Sequence, residues 1–300
     1  MDLRHFFNSA ETLRFGLWLG RHLSPGMGYR LADTVTGILA QRQTAVLQTL
    51  HGNLRMVLGP EASEAEVHAT AARVLHHAGR VYFDLYHALA TGPEAFLTSV
   101  RTTPLTDYYL DRMQHERHGC IVVGPHLSNF DLAALALVHR GLRVTALAHA
   151  RPTSGYDLLN QIRGEGGLEM IPIDVKALRR ALEALRQGDI VATGVDRPDP
   201  TGGGQMLPFF GHPARLPVGH VRLALQADVP IVIASCEFRE PEQTYVVHFS
   251  RWMEMERTGN RDQDIRHNAL RILHVFEGLI SAHPEQWMMF YPVWEDQLGL

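Results

Sequence analysis

A histidine and an aspartate stand five residues apart after a short apolar segment near the middle of the chain. His126 follows Gly124-Pro125, and Asp131 closes the run Leu127-Ser-Asn-Phe-Asp131. We expect the Asp131 carboxylate to reach back to the imidazole, which would fix the ring tautomer and raise its basicity. Such a pair can act as a general base towards an alcohol or water. An ordinary structural turn fits the same residues, and the spacing alone does not decide.

A second group of polar residues follows the apolar segment 190–195. Asp196 and Arg197 come directly after this segment, and a glycine-rich stretch, 201–204, lies just beyond them. An acid and an arginine at a strand end can line a cleft, and a solvated turn is the alternative. If both segments are parallel strands, the two polar groups lie at the same edge of a sheet.

Several other catalytic constellations are missing from the sequence. No Gly-x-Ser-x-Gly elbow is present, so a serine nucleophile of the α/β-hydrolase type is not expected. Neither a P-loop nor a complete Gly-x-Gly-x-x-Gly fingerprint occurs. His115, His118 and Cys120 lack a fourth ligand at zinc spacing, so we predict no metal site. His76 and His77 fall in a helical pattern and are predicted to be surface residues.

The elements that position these residues follow from the hydrophobic pattern. From about residue 118, short apolar segments alternate with helical patterns, which predicts an α/β fold with a mostly parallel central sheet flanked by helices. Strands are predicted at 121–123, 144–147, 170–173, 190–195, 229–238 and 245–249, and helices at 129–139, 158–163, 175–187 and 262–281. Residues 28–50 and 65–92 read as helices of a helical N-terminal region.

No linker or repeat divides the 300 residues, so we predict a single domain, 1–300. Its parts are an amphipathic helical, membrane-associating segment (1–55), a helical segment (56–117) and an α/β catalytic core (118–300). A chain of this size can bury a large core. The net charge of −4 argues against nucleic acid as a partner. Two cysteines are too few for a disulfide scaffold and suggest a reducing compartment.

The first 25 residues place large apolar side chains beside scattered charges. These side chains are Phe6, Phe7, Leu13, Phe15, Leu17, Trp18 and Leu19. Residues 1–55 carry six arginines against three acidic residues. An aromatic, mildly basic helix can lie in a membrane interface, and packing on the chain's own core is the alternative. Glu11, Arg14 and Arg21 interrupt the apolar run, so neither a signal peptide nor a transmembrane helix is predicted.

Three motifs in the same order resemble those of known acyltransferases. His126-Leu-Ser-Asn-Phe-Asp131 resembles the His-x4-Asp/Glu signature of the glycerolipid acyltransferase superfamily. Pro208-Phe-Phe-Gly-His-Pro-Ala214 and His283-Pro-Glu-Gln-Trp287, with Trp294 after it, resemble two blocks of the bacterial lipid A biosynthesis (lauroyl/myristoyl) acyltransferase family. The resemblance runs from about residue 50 to 294. It implies the α/β acyltransferase fold and an enzyme of this class.

Within that family, the sequence resembles the phosphatidylinositol mannoside acyltransferase branch. Arg215-Leu-Pro-Val-Gly219 and Asp196-Arg197 look closer to that branch. Lipid A enzymes usually have Asp-Gln where this sequence has Asp196-Arg197. Lipid A enzymes also usually begin with a transmembrane helix. Asn53-Leu54 after a basic helical segment fits the family as well. The Glu-Gly-Thr-Arg block of the glycerol-phosphate branch is absent.

The resemblance implies transfer of a fatty acyl group from acyl-CoA or acyl carrier protein to a hydroxyl of a glycolipid, either phosphatidylinositol mannoside-like or lipid A precursor-like. His126 would deprotonate the hydroxyl, with Asp131 and Asp196 orienting the imidazole. Because a thioester is already activated, neither a cofactor nor an acyl-enzyme is expected. Backbone N–H groups after His126, together with Arg197, are the expected donors to the oxyanion.

Several residues are expected to bind substrate. Arg163 matches a family arginine near the site and would bind an acceptor phosphate or hold Asp196. Phe130, Phe209 and Phe210 would wall an apolar slot for the acyl chain, with core packing as the alternative. The full substrate-binding set is Ser128, Asn129, Phe130, Arg163, Arg197, Phe209 and Phe210.

Two other enzyme classes on the same fold remain open from the sequence. One is a lysophospholipid or glycerol-phosphate acyltransferase, and the other is an acyl-thioester hydrolase that uses water as acceptor. A non-catalytic lipid-binding protein is a third alternative, although both His126 and Asp131 are present. Because substrate and product are lipids, we expect a peripheral protein on the cytoplasmic face of the bacterial cell membrane.

Overall fold

The computed structural model describes residues 9–42, 44–148, 154–173, 175–198 and 203–294. A seven-stranded sheet lies at its centre, in the strand order β1-β9-β8-β2-β5-β3-β4. The strands are β1 (Val100–Thr102), β2 (Cys120–Gly124), β3 (Val144–Ala148), β4 (Glu169–Pro172), β5 (Ile190–Gly194), β8 (Ile231–Arg239) and β9 (Thr244–Phe249). Every pairing is parallel except β8 with β9. The prediction of an α/β fold with a mostly parallel sheet is confirmed.

Helices cover both faces of the sheet, as its near-continuous apolar strands require. The helices are α1 (Ala10–His22), α2 (Pro25–Ala40), α3 (Ala45–Leu58), α4 (Glu64–Thr91), α5 (Pro93–Ser99), α6 (Pro104–His115), α7 (Phe130–His139), α8 (Ser154–Glu165), α9 (Val175–Arg186), α10 (Gly219–Ala227) and α11 (Arg261–Ala282). One apolar core lies on the side of α9, α10 and α11, and a second lies on the side of α4 and α7. The helical N-terminal region is therefore present as predicted.

Two further strands form a separate hairpin from the Pro-Phe-Phe-Gly block. Strand β6 (Gln205–Phe209) pairs antiparallel with β7 (His212–Leu216). Phe210 and Gly211 join them with φ angles of 51° and 74°, the backbone that a two-residue hairpin turn of type I′ requires. The Phe210-Gly211 step of this block thus forms the turn of a hairpin.

Helices α1 and α2 pack through small residues on the long helix α4. A Cβ atom added at Gly28 would come within 2.1 Å of the Phe83 ring, and one at Gly20 within 2.6 Å of the Tyr86 backbone. The opposite face of both helices is open, and Phe15 is 59% and Trp18 54% exposed. The structure thus packs one face of this segment on the chain's own core and leaves apolar side chains on the other face.

Within the described residues, no helix is both long and apolar enough to cross a bilayer. Phe6 and Phe7 of the N-terminal aromatic stretch lie outside those residues, as do Thr201 and Gly202 of the glycine-rich stretch. The predicted strand 229–238 begins two residues later, at Ile231, because Pro230 has no N–H to give to a ladder. Helix α8 is longer than the predicted 158–163.

Candidate active site

His126 and Asp196 lie in direct contact at the carboxyl edge of the sheet. The imidazole Nδ1 is 2.6 Å from Asp196 Oδ1, and the His126 backbone N–H donates to Asp196 Oδ2 over 2.9 Å. A carboxylate beside Nδ1 favours the tautomer with the proton on Nδ1. That tautomer leaves Nε2 as the ring nitrogen that can accept a proton.

The strand register brings these two residues together. Strands β2 and β5 are neighbours, with Gly124 opposite Gly194 at their last paired position. His126 and Asp196 each follow two residues beyond that pair, so both enter the same crevice. Gly194 also makes room for the ring, because a Cβ atom there would lie 2.8 Å from His126 Cε1.

The environment of Asp196 favours the charged carboxylate. Its burial on its own would raise the pKa. The neighbouring His126 charge and hydrogen bonds from the imidazole, the Trp287 indole and the His126 backbone outweigh burial and hold the pKa of Asp196 below its usual value. Asp196 is therefore an anion at neutral pH, placed to stabilise a protonated imidazole.

The His-Pro-Glu-Gln-Trp block holds the turn that carries His126. The Trp287 indole Nε1–H donates to Asp196 Oδ2 over 2.9 Å. The Gln286 carbonyl accepts the Ser128 N–H, and the Met288 N–H donates to the His126 carbonyl over 2.9 Å. These bonds tie the turn that carries His126 to a segment about 160 residues away in sequence, so the block has a positioning role.

Asp131 has a different partner from the one expected. Its carboxylate pairs with Arg163 from helix α8, at 2.6 Å and 2.7 Å from Nη2. The predicted contact of Asp131 with the His126 imidazole is wrong, because the bonded carboxylate is that of Asp196. Arg163 likewise holds Asp131 rather than Asp196. Both Arg163 and Asp131 line the same cavity as His126.

Ser128 and Asn129 serve the architecture of the turn in the described structure. Ser128 is fully buried with a φ of 49°, and its Oγ lies 3.0 Å from His77 Nε2. The Asn129 amide accepts the Leu132 N–H at the start of α7 and donates to the Val81 carbonyl. Neither side chain is among the described residues that line the cavity, so the expectation that they contact substrate does not fit their positions.

The backbone donors expected for an oxyanion are already engaged. The Leu127 N–H donates to the Pro125 carbonyl at 2.7 Å, and the Ser128 N–H donates to the Gln286 carbonyl. These two N–H groups are therefore not free to face the reacting atoms, whereas the role of the N–H groups farther along the turn stays a prediction. Arg197, the other expected donor, lines the cavity with its guanidinium 3.5 Å above the Tyr291 ring. Asn53 holds the segment with Tyr291 through hydrogen bonds to two backbone carbonyls.

A cavity of about 570 Å³ opens beside His126. Next to the imidazole it is lined by Phe130, Asp131, Arg163 and Arg197. Farther in, it runs between α7 and the face of the sheet, where the side chains are apolar. We call this inner part the apolar slot; it is lined by Val122, Ala133, Ala134, Leu137, Leu142, Val144, Ala146, Leu168, Met170, Ile190 and Ala192.

Phe209 and Phe210 lie in the core instead of in the slot. Phe209 is fully buried and stacks on Trp294 at 5.7 Å between ring centroids, and Phe210 contacts both rings. Neither is among the described residues lining the cavity. Core packing, the alternative for these two residues, is what the structure shows. Phe130, in contrast, meets the His126 ring edge to face at 5.3 Å and lines the cavity as expected.

Three positioning residues escaped the reading of the sequence. Trp287 bonds Asp196, Gly194 admits the imidazole, and His77, predicted at the surface, reaches the buried Ser128. Burial lowers the pKa of His77 to about 4, with the Arg80 charge adding to the effect. The one signal available for Trp287 was its motif, which carries no indication of a contact with Asp196.

Substituting Gly194 with alanine tests how tightly the ring is held. The added methyl group cannot share space with His126 Cε1 at 2.8 Å, so the ring must rotate away from Asp196. We expect kcat to fall at least about tenfold, as misplacement by about 1 Å can cost 10²-fold, while Gly164→Ala, where nothing lies within 4 Å, leaves it unchanged. Steady-state kinetics of the two folded variants provide the measurement. Equal kcat values for the two variants would show that turnover does not depend on the position of the His126 ring.

The fold and the site together define a class of protein. A histidine–carboxylate pair at parallel strand ends, opening on an apolar slot, is suited to general-base chemistry on a lipid. A model of the family described as bacterial lipid A biosynthesis acyltransferase matches residues 12–296. The chain belongs to this family, which confirms the resemblance inferred from the motifs.

Curated relatives carry a more specific name. The phosphatidylinositol mannoside acyltransferase of Mycobacterium tuberculosis (strain ATCC 25618 / H37Rv) is 28% identical over 180 residues, 59% of this chain and 54% of that protein. The protein of the same name from Mycolicibacterium smegmatis is 24% identical over 180 residues, 59% of this chain and 57% of that protein. The match spans about half the length of these curated relatives.

Proposed function

We propose that this protein is an O-acyltransferase that moves a fatty acyl group from a thioester donor to a hydroxyl of a glycolipid. The observation that carries the proposal is the contact of His126 with buried Asp196 at the mouth of an apolar slot. Membership of the acyltransferase family supports the reaction type. The relatives' names favour an acceptor of the phosphatidylinositol mannoside kind over a lipid A precursor.

The reaction proceeds without a covalent enzyme intermediate. His126 Nε2 takes the proton of the acceptor hydroxyl while the hydroxyl oxygen attacks the thioester carbonyl. The negative charge that forms on the carbonyl oxygen is stabilised by Arg197, which lines the cavity. The intermediate then breaks its C–S bond, and the leaving thiolate receives the proton from the imidazolium. Asp196 stabilises the imidazolium throughout.

The two cysteines do not offer an alternative nucleophile. Both Cys120 and Cys236 are buried, and burial raises the pKa of each thiol to about 12. A thiol with so high a pKa holds almost no thiolate at neutral pH. Direct transfer from donor to acceptor therefore fits the site better than an acyl-cysteine.

The charged rim and the apolar interior of the cavity suit the two ends of an acyl donor. The slot receives the hydrocarbon chain, and the donor is acyl-CoA or acyl carrier protein. Arg163 lies at the rim of the cavity, and Asp131 pairs with its guanidinium. The guanidinium is thereby held at the rim, where its positive charge can bind a phosphate of the acceptor. No cofactor takes part in this scheme.

We also propose that the open face of α1 and α2 binds the membrane surface at the cytoplasmic side. Met27, Leu31, Val35 and Ile38 recur at helical spacing and are 57%, 39%, 42% and 51% exposed. Phe15 and Trp18 on α1 are exposed as well, and so are Arg14, Arg21 and Arg30 of the two helices. Apolar area flanked by arginine is the composition of helices that lie in a lipid interface.

Loss of this face should release the protein from lipid. We expect Phe15→Ser/Trp18→Ser and Leu31→Ser/Ile38→Ser to weaken binding to anionic vesicles by at least about tenfold, because each buried side chain contributes roughly 1.5–3 kcal/mol. Vesicle flotation gives the measurement. The control is Tyr108→Ser, a residue 55% exposed on α6. Equal flotation of all variants would assign the face to another contact.

Product analysis tests the proposed reaction. Purified protein is incubated with a mixed acyl-CoA pool and a total lipid extract, and new lipids are identified by mass spectrometry. We expect a glycolipid whose mass increases by one acyl group. Free fatty acid as the sole product would instead identify an acyl-thioester hydrolase, and acylated lysophospholipid would identify the glycerol-phosphate reaction.

A further inference from the structure

We propose that Leu142 and Ile190 form the floor of the apolar slot and set the longest acyl chain that the protein transfers efficiently. The inference rests on the proposed acyl transfer and adds its chain-length specificity. It is carried by the sizes of the side chains along the slot and by what lies beyond its inner end.

The slot arises from small side chains in matching register. Val122, Ala192 and Ala146 lie side by side on three neighbouring strands and are only partly buried, since they face the cavity. Ala133 and Ala134 of helix α7 line the opposite wall. Small side chains on both walls leave the width that a hydrocarbon chain occupies. Near His126 the register ends in Gly124 and Gly194, which keep the mouth open.

Larger side chains close the slot one row farther in. Ile190 pairs with Val144 at this level and is 4% exposed, and Leu142, just before β3, is 5% exposed. Leu137, at the end of α7, completes the closure. The change from alanine to a branched side chain within two residues on both β3 and β5 makes an abrupt floor.

A second cavity of about 300 Å³ lies on the far side of this floor, at the opposite edge of the sheet. The two cavities share Leu142 and Ile190 and no other described residue. The lining beyond the floor is polar and charged, with Gln114, Arg117 and an ion pair between Arg143 and Asp189. A terminal methyl group gains nothing by entering such surroundings, so Leu142 and Ile190 separate an apolar space from a polar one.

The depth of the slot gives the expected chain length. Four residues separate Ile190 from Gly194 beside the imidazole, which is roughly 13 Å at about 3.3 Å per residue. A zigzag chain of about 1.5 Å carbon–carbon bonds advances about 1.3 Å per carbon. Some ten carbons therefore fit between mouth and floor, and with the carbons at the mouth we expect an optimum near about twelve.

Two substitutions should move this optimum in opposite directions. Leu142→Ala frees the space of the leucine side chain at the floor, room for about two more carbons, so we expect the ratio of kcat/KM for tetradecanoyl-CoA to that for dodecanoyl-CoA to rise about tenfold. Ala192→Leu places a larger side chain on the slot wall two residues above Ile190, so the optimum should fall by about five carbons, the number that spans roughly 6.6 Å. Leu110→Ala, in the same apolar core but outside both cavities, serves as the packing control and should keep the wild-type profile.

The measurement is kcat/KM across acyl-CoA chains of eight to eighteen carbons, with Kd values for the corresponding S-alkyl-CoA thioethers. If the wild type transfers no acyl group, the proposed function fails, and the thioether affinities still report the depth of the slot. If wild type, Leu142→Ala and Ala192→Leu share one chain-length profile in both turnover and binding, the floor does not set chain length and the inference is overturned.

Discussion

Substituting His126 with alanine should reduce kcat for acyl transfer by about 10²- to 10⁴-fold, the range typical of a lost general base. In the proposed reaction the imidazole is the proton acceptor, and its removal leaves the apolar slot and the charged rim intact. The variant should stay folded, because the His126 side chain is 25% exposed. Turnover with a single acyl-CoA and a purified glycolipid acceptor measures the loss.

The control is another partly buried histidine. His139 bonds the Leu135 carbonyl from within α7 and is not among the described residues that line the cavity. His139→Ala should keep wild-type turnover. If His126→Ala is folded by circular dichroism and turns over as fast as the control, His126 is not the base.

Substituting Asp196 with asparagine should also cost about 10²- to 10⁴-fold in kcat, because an amide can hold the ring in the wrong tautomer, as in other histidine–carboxylate pairs. A neutral amide also gives no charge stabilisation to the imidazolium. Asp131→Asn is the matched comparison, and since Asp131 pairs with Arg163, we expect a smaller loss. Equal losses in the two variants would place both carboxylates in the same relay.

The Asp196 carboxylate makes the stability of the fold depend on pH. Because the folded-state pKa of Asp196 is lowered, its ionised form stabilises the fold at pH values above the ordinary aspartate pKa of about 4. That contribution disappears as the pH falls from about 4 through the lowered pKa. Denaturant unfolding at a series of acidic pH values should therefore show a flatter decline for Asp196→Asn than for the wild type. Parallel curves would contradict the lowered pKa.

The position of His126 and Asp196 at one edge of the sheet could be predicted from the residues, and the contact between them was implied by the family resemblance. Both residues follow short apolar strands, and neighbouring parallel strands deliver their carboxyl ends to one edge. A different argument chose Asp131 as a partner, since it lies only five residues from His126 in the sequence. The contact it makes instead comes from Arg163 on α8, 32 residues away, and the orientation of that helix is not encoded in the spacing.

The other features of the site that could not be predicted depend on contacts between residues far apart in the sequence. Trp287 bonds Asp196 from 91 residues away, so the block His283–Trp287 could be recognised as a motif but not assigned to a partner. Phe209 and Phe210 turn towards the core because the hairpin that carries them packs on Trp294. The apolar pattern does not distinguish a core face from a cavity wall, since both bury hydrocarbon.

Short elements were missed for a different reason. Strand β1 has only three residues, and it pairs with β9, whose residues lie 145 positions later in the sequence. No local periodicity therefore marks it. The small residues that shape the slot also carry no local signal. Ala146 and Ala192 are ordinary strand residues until the register places them side by side.

The path of a labelled acyl group tests the central claim most directly. The protein is mixed with dodecanoyl-CoA labelled with ¹⁴C in the carbonyl and with a purified phosphatidylinositol mannoside. We predict that the label passes to the glycolipid as an ester, that the intact mass of the protein stays constant during turnover, and that His126→Ala blocks both ester formation and thioester loss. Label retained covalently on the protein, or released only as free fatty acid, would contradict direct base-assisted transfer.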